Sequence, residues 1–406
     1  MSKPLFTFGT SRGGTTFFAR ILSVNPEIKV ASDPFLPLFR AFRNEVIVQK
    51  VDSLYDIRQP LEDYFFSESK LQRMRAIQSS ALDIKLSVNN LSNIQSQLAA
   101  RMNLAAKELA SRVGEIIGGT VRELFNGSLS LLENVYEAQD ISWCGSSDNW
   151  VIEFLPVLAN AFRDAKFIVI IRDPRGAIAS SMKVGEKNPE LVPLMYSFAQ
   201  HWRKHADFSW KLMRDPQIKD RLFVLRYEDL VCSPEEKVKE ICEFLDVPFS
   251  SDMLVTKNFR SISGKEWTTY SSFEVPENVI YTDSVESWKK YFKKGQTEFT
   301  EFICDPDMGL FGYEPQEYSG GGLSTAAMEF LLDDDKTAQG WRGRHEAWDK
   351  EIAHHLVKKE LIQNNAGDSS REDRETYFLF EEVFEGCCNL RNTKNGKGKR
   401  AYLESA

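Results

Sequence analysis

Short apolar runs alternate with stretches of helical period along much of the chain. Residues 5–8 read as a short apolar strand, followed by a glycine-rich turn at 9–14. A helix through 15–22 then stops ahead of Asn25-Pro26. Residues 28–31 read as a second strand, and from about 40 to 140 the pattern is helical, rich in Leu, Ala, Gln and Glu. Strand and helix then alternate again. Residues 141–144 predict a strand, 150–162 a helix, 167–171 a buried strand, 175–182 a helix and 194–213 a longer one. A strand at 222–225 and an amphipathic helix at 234–245 follow. This order predicts an α/β fold with a parallel sheet covered on both faces.

Beyond about residue 315 the character changes. Gly320-Gly321-Gly322 and Asp333-Asp334-Asp335 bracket a linker-like stretch, the aspartate run reading as a solvated face or cap. Helical patterns follow at 340–363 and 374–384, and the Lys/Gly/Asn-rich stretch 392–400 reads as frayed. The expected organisation is one α/β domain over 1–315, carrying a helical insertion at 40–140, and a C-terminal helical extension over 316–406.

Composition excludes some classes. With 42% hydrophobic and 27% charged residues the chain is not disordered throughout. A net charge of -8 argues against nucleic acid as a partner, though a local pocket can still attract a small anion. The apolar run Phe167-Ile-Val-Ile-Ile171 is far short of the roughly 20 residues of a spanning helix. No secretory signal precedes the first strand. The six cysteines form no CxxC pair, which argues against structural zinc and points to a reducing, cytoplasmic location.

Three blocks carry chemistry. The first, Gly9-Thr-Ser-Arg-Gly-Gly14-Thr15-Thr16, has the strand–GxxxxG–helix frame of a phosphate loop, whose amides and helix N-terminus suit an anion. Thr15 stands where a nucleoside triphosphatase carries lysine, and the cation is Arg12 inside the loop. The second runs Arg172-Asp173-Pro174-Arg175-Gly176 to Ser180, beginning where a buried strand ends. Ligands of open α/β sheets bind at that end, and an arginine there can fork onto a phosphate or make a surface salt bridge. The third, Leu225-Arg226-Tyr227-Glu228-Asp229-Leu230, follows another strand.

These blocks, in this order, resemble the sulfotransferases that use 3′-phosphoadenosine 5′-phosphosulfate (PAPS), in the style of the carbohydrate, tyrosyl-protein and bacterial small-molecule branch. Ser287-Trp288-Lys289 resembles a Trp-basic block near the end of that domain. The resemblance implies a P-loop-NTPase-like central parallel sheet flanked by helices. It implies that Gly13, Gly14, Thr15, Thr16 and Phe17 hold the 5′-phosphosulfate with Arg12 as its main cation. Arg172 and Ser180 would then hold the 3′-phosphate, and Tyr227 would lie near the adenine or orient the site. Positioning and charge stabilisation do most of the work in such transfers, so no metal is expected. The tyrosyl-protein branch carries its acidic base 21 positions after the loop cation. That position here is Asp33, in Ala31-Ser32-Asp33-Pro34, a sequence that also reads as an ordinary turn.

One departure stands out. Relatives often carry a lysine ahead of the 3′-phosphate block, where this chain reads Ser146-Ser147-Asp148-Asn149. Lys85, Lys265 or a larger role for Arg12 are the candidate replacements. His201 and His205 share a helical face without the glutamate of a metalloprotease motif, and read as packing. Residues 260–267 and 270–273 read either as a flap over the nucleotide or as a solvated loop. The phenylalanines read mostly as core, with some lining an acceptor pocket between 35 and 140. The function implied is sulfuryl transfer from PAPS to a hydroxyl, in preference to an amine, of a small-molecule or carbohydrate acceptor. A P-loop small-molecule kinase and a catalytically idle nucleotide-binding protein are the rivals. Acceptor identity and oligomeric state stay open.

Overall fold

The computed structural model describes residues 2–105, 107–135, 141–186, 195–260, 280, 282–328, 348–364 and 369–394. Of the expected flap, residues 261–267, Lys265 among them, and 270–273 lie outside the described residues, as do the Asp333–Asp335 run and the tail from 395. Two compact units partition the chain. The first comprises Met1–Leu61, Gln72–Ile170 and Asp220–Thr282, and the second Glu62–Leu71, Ile171–Lys219 and Asp283–Ala406.

The first unit is built on a five-stranded sheet. Its strands are β1 (Lys3–Gly9), β2 (Ile28–Ser32), β3 (Trp143–Asn149), β4 (Lys166–Ile171) and β5 (Leu222–Arg226), in the order β2-β3-β1-β4-β5. β1 pairs in parallel with β3 and β4, and β2 in parallel with β3. The predicted parallel α/β architecture is therefore present. Helix α1 (Thr15–Val24) buries Phe18, Ala19, Ile21 and Leu22, the i, i+3, i+4 face that the sequence offers. It ends where the Asn25 N–H returns to the Leu22 carbonyl (3.0 Å) and Pro26 blocks continuation.

The helical reading of 40–140 holds among the described residues: α2 (Leu36–Lys50), α3 (Glu68–Gln78), α4 (Leu91–Ala105), α5 (Lys107–Ser111) and α6 (Val121–Val135). Phe35, Phe39, Phe42 and Phe125 are all buried and pack edge to face, Phe39 against Phe125 at 5.3 Å between centroids. These phenylalanines are core rather than pocket lining. After β3 come α7 (Leu155–Ala161), then α8 (Pro174–Gly185), α9 (Met195–Leu212), α10 (Tyr227–Cys232) and α11 (Pro234–Leu245). The Trp143 indole N–H donates to the Leu245 carbonyl at 2.7 Å, tying α11 to β3 within the first unit.

The largest difference from the sequence pattern is β3. Its apolar signal covers only 141–144, yet the strand runs on through Gly145-Ser146-Ser147-Asp148-Asn149. A strand held between two parallel neighbours takes its hydrogen bonds from backbone groups, so the ladder continues through small polar residues.

The second unit contains α8 and α9 with α12 (Trp288–Tyr291), α13 (Gln296–Cys304), α14 (Trp348–Gln363), α15 (Arg371–Phe378) and α16 (Glu381–Lys394). The single helix expected over 374–384 is two, broken at Leu379, whose φ is 57°. Its interior carries buried ion pairs: Arg203 to Glu351 (2.8 Å) and Lys358 to Asp307 (2.6 Å).

A close approach in the sheet is testable. A methyl group at Gly145 would sit 1.8 Å from the Leu5 carbonyl oxygen across the β1–β3 pair. Gly145→Ala is expected to cost about 3 kcal/mol in urea unfolding by forcing the strands apart. Gly114→Ala, where an added methyl meets nothing within 4 Å, should change stability by less than about 0.5 kcal/mol.

Candidate functional site

The glycine-rich loop leaves β1 at its C-terminal end and enters α1. The Gly13 N–H donates to the Thr10 carbonyl (3.0 Å), folding the loop back on itself. Arg12 and Gly14 both take left-handed backbone conformations, with φ of 59° and 93°. A non-glycine residue held there is uncommon and tends to mark a functional turn. Gly14 precedes α1 without a side-chain cap, so the amides of the first helical turn, which have no partner within the helix, point together at one spot.

Gly14 must be glycine for a second reason. A Cβ there would lie 2.4 Å from Cδ2 of the Tyr227 ring. Tyr227, the first residue of α10, thus lies across the loop, and the first and third sequence blocks meet in the first unit. Behind the loop, the Thr15 hydroxyl donates to the Asn149 side-chain oxygen at 3.0 Å. Phe17 packs its ring edge-on to Phe259, 5.8 Å between centroids.

Asp33 sits just past the end of β2, also left-handed, with φ of 58°. Its N–H donates to the Ser147 carbonyl at 2.6 Å, and its carboxylate forms an ion pair with Arg101 of α4. Arg101 Nε also donates to the Asp33 backbone carbonyl at 2.9 Å. Next to this pair is Asp148, buried at the end of β3. One of its oxygens accepts the Phe35 N–H at 2.9 Å. Burial pushes the Asp148 carboxyl up to about 6, against the pull of the Ser146 hydroxyl, the Phe35 N–H and the Arg101 charge. The second Asp148 oxygen forms no well-aligned hydrogen bond among the described residues. Neither do the buried hydroxyls of Thr7, Thr10, Ser32 and Ser147. In register Thr7 lies opposite Ser147 and Ser32 opposite Ser147, so this row of unmet polar groups crosses three strands beside the loop. Buried polar atoms normally find partners, and a run without them suits a polar ligand or water.

Arg172 and Ser180 belong to the second unit, both nearly buried. Arg172 Nη2 donates to the Ser284 carbonyl at 2.9 Å, and its own carbonyl accepts the Trp202 indole N–H at 2.8 Å. A Cβ on Gly176 would come within 3.2 Å of Arg172 Nε, so glycine leaves room for the guanidinium over α8. Asp173 caps α8 through the Arg175 N–H (2.9 Å), and Arg175 stacks on Trp288 at 4.4 Å. The Trp-basic block is thus a packing partner of the second block. His201 is held down to about 3 by burial and by Lys204, which fits the packing reading. Lys85 is an exposed residue bridged to Thr120.

Residues 4–251 match the family model described as Sulfotransferase family. The chain belongs to the sulfotransferase family. It is 24% identical over 192 residues to carbohydrate sulfotransferase 3 of Tetronarce californica, covering 40% of this chain and 39% of that one. To the protein-tyrosine sulfotransferase of Drosophila melanogaster it is 28% identical over 172 residues, 41% of this chain and 32% of that one. The chain thus spans less than half the length of either relative. Among solved structures, the sulfotransferase domain from the Synechococcus PCC 7002 olefin synthase superposes with a TM-score of 0.45 at 16% identity, covering 77% of this chain and 96% of that chain.

Two residues of the candidate site escaped the sequence reading. Arg101 lies in an ordinary helical stretch, and nothing local marks it. Asp148 carried a signal that was available: an acid directly after the departure at Ser146-Ser147.

The buried acid gives a pH prediction. Its folded value, about 6, lies above the usual carboxylate range, so the folded state binds this proton more tightly than the unfolded state. Stability from this group is present at low pH, falls as pH rises from about 4 to about 6, and is fully lost above that. Asp148→Asn should therefore flatten the 4–6 window and raise stability at pH 7.5 by about 1–3 kcal/mol. Urea titrations at a series of pH values read both effects. An unchanged slope between pH 4 and 6 would show that Asp148 is not buried as a perturbed acid.

Proposed function

We propose that this chain transfers a sulfuryl group from PAPS to a hydroxyl of a small-molecule or carbohydrate acceptor. The observation that carries the reading is the loop itself, in a chain of this family. Its uncapped amides and the Tyr227 ring across Gly14 form a cradle for an anion with an aromatic group beside it, and the same loop carries the cation Arg12. Without a lysine after Gly14, that cradle is poorly made for the β/γ-phosphates of ATP. The unmet hydroxyls of Thr7, Thr10, Ser32 and Ser147 fit a polar group bound there. Bound PAPS supplies the sulfuryl group, with adenosine 3′,5′-bisphosphate as the leaving group.

In this reading Gly13, Gly14, Thr15, Thr16 and Phe17 hold the 5′-end through the helix amides, with Arg12 neutralising its charge. Arg172 and Ser180 take the 3′-phosphate. The acceptor oxygen bonds to sulfur as the bond from sulfur to the 5′-phosphate oxygen breaks, and the bonding pair leaves with the bisphosphate. Asp33 accepts the acceptor's proton.

A second reading, an idle nucleotide-binding protein, is favoured by the buried serines Ser146 and Ser147 where relatives carry a cation. Product formation from radiolabelled PAPS with a panel of phenols and sugars separates the two.

Adenosine 3′,5′-bisphosphate at about 100 times its Kd should stabilise the protein by roughly 2.7 kcal/mol, and Mg-ATP much less. Arg172→Ala should weaken the bisphosphate by about 1.5–3 kcal/mol while leaving AMP affinity unchanged. Equal losses for the two nucleotides would remove Arg172 from 3′-phosphate recognition.

Asp33→Asn should keep bisphosphate affinity and lower single-turnover sulfation at saturating PAPS by about 10²–10⁴-fold. Near-normal turnover would exclude Asp33 as the base. Lost nucleotide binding would make it a structural turn residue.

A further inference from the structure

We infer that Arg101, delivered by helix α4, is a positioning residue of the transfer site, setting the orientation of the Asp33 carboxylate. The inference rests on the reading of Asp33 as the proton acceptor.

The geometry argues for a role beyond stability. An ion pair at partly exposed side chains contributes only about 0–1 kcal/mol, and here the Arg101 and Asp33 side chains retain 29% and 28% of their exposure. Yet one guanidinium meets Asp33 twice, at its carboxylate and at its backbone carbonyl. Asp33 is left-handed and is also pinned through its N–H to the Ser147 carbonyl. The Asn149 N–H faces the Asp33 carboxylate from the end of β3, at 3.4 Å. Two strand ends and one helix therefore fix a single carboxylate, which still keeps part of its exposure.

The electrostatics point the same way. The groups that face Asp148 are Arg101 from α4, the Phe35 N–H ahead of α2 and the Ser146 hydroxyl on its own strand. Arg101 is thus the positive charge that works against desolvation of this buried acid, and burial of Arg101 itself lowers its own value. This guanidinium pairs with the Asp33 carboxylate and acts through its charge on Asp148, and a buried carboxyl ionises cheaply only with such a cation beside it. Arg101 supplies it. It comes from the helical insertion and not from β3, whose serines offer no charge. A guanidinium suits the task because its planar fork can hold a carboxylate and a carbonyl at once.

The test uses the full chain with Arg101→Ala and Arg101→Lys. Turnover is followed with radiolabelled PAPS and a phenol or sugar acceptor, and adenosine 3′,5′-bisphosphate affinity by titration. The expected result for Arg101→Ala is a 10–100-fold loss in kcat, bisphosphate affinity within about two-fold of the parent, and an acidic limb of the kcat–pH profile moved to higher pH. Arg101→Lys, which keeps the charge but not the two-pronged fork, should recover only part of the kcat. Unchanged kcat, or a loss of bisphosphate affinity equal to the loss of activity, would overturn the inference. A parent chain that binds the bisphosphate but sulfates nothing would instead overturn the functional reading. The inference is then read from melting against pH: Arg101→Ala should move the titration of Asp148 to higher pH, and an unmoved titration overturns it.

Discussion

Parallel pairing of β1 with β3 is the constraint on which the candidate site depends. Their register sets Gly9 opposite Asn149 and Phe8 opposite Asp148. The phosphate-type loop therefore starts beside the end of a strand that carries a buried acid and the amide that receives the Thr15 hydroxyl. The approach is close enough that only glycine fits at 145, against the Leu5 carbonyl. Were the register to slip by one residue, the faces of β3 would exchange, and Asp148 would leave the side on which Phe35 donates to it.

The second constraint is the handling of charge at that edge. Ionising a carboxyl away from water is unfavourable unless it is paired or hydrogen-bonded. The chain meets the demand with backbone donors, a single guanidinium and strained left-handed residues. Arg12 and Asp33 both hold conformations that most side chains avoid. Such strain persists only where surrounding contacts over-determine it, and here those contacts are the loop's own turn, the Ser147 carbonyl and Arg101.

The second unit handles buried charge by pairing. Arg175 bridges Asp173 and Glu301, both at 2.6 Å, and so fixes the start of α8 just after Arg172. Glu351 receives the Tyr196 hydroxyl at 2.9 Å as well as Arg203, which locks α14 onto α9 within this unit. Asp207, beside the Asp307–Lys358 pair, is pushed well up by burial and by Asp307. Removing one member of such a pair strands a buried charge, which costs far more than the pair contributes. The helices after residue 348 thus supply buried partners to α9 and to the turn at Asp307.

The sequence by itself determined the parallel α/β order, the helical character of the 40–140 stretch and the three chemical blocks. These are local properties: apolar period, glycine and proline positions, and residue types at short spacing. It did not reveal the full length of β3, because a strand's ladder is made by its neighbours and not by its own side chains. It gave no reason why position 14 is glycine beyond the turn, since the ring that excludes a side chain there belongs to Tyr227, more than two hundred residues away in sequence. Nor did it single out Arg101. An arginine on a helix looks alike whether it faces water or reaches a carboxylate, and only the folding of α4 against the sheet edge brought it to Asp33.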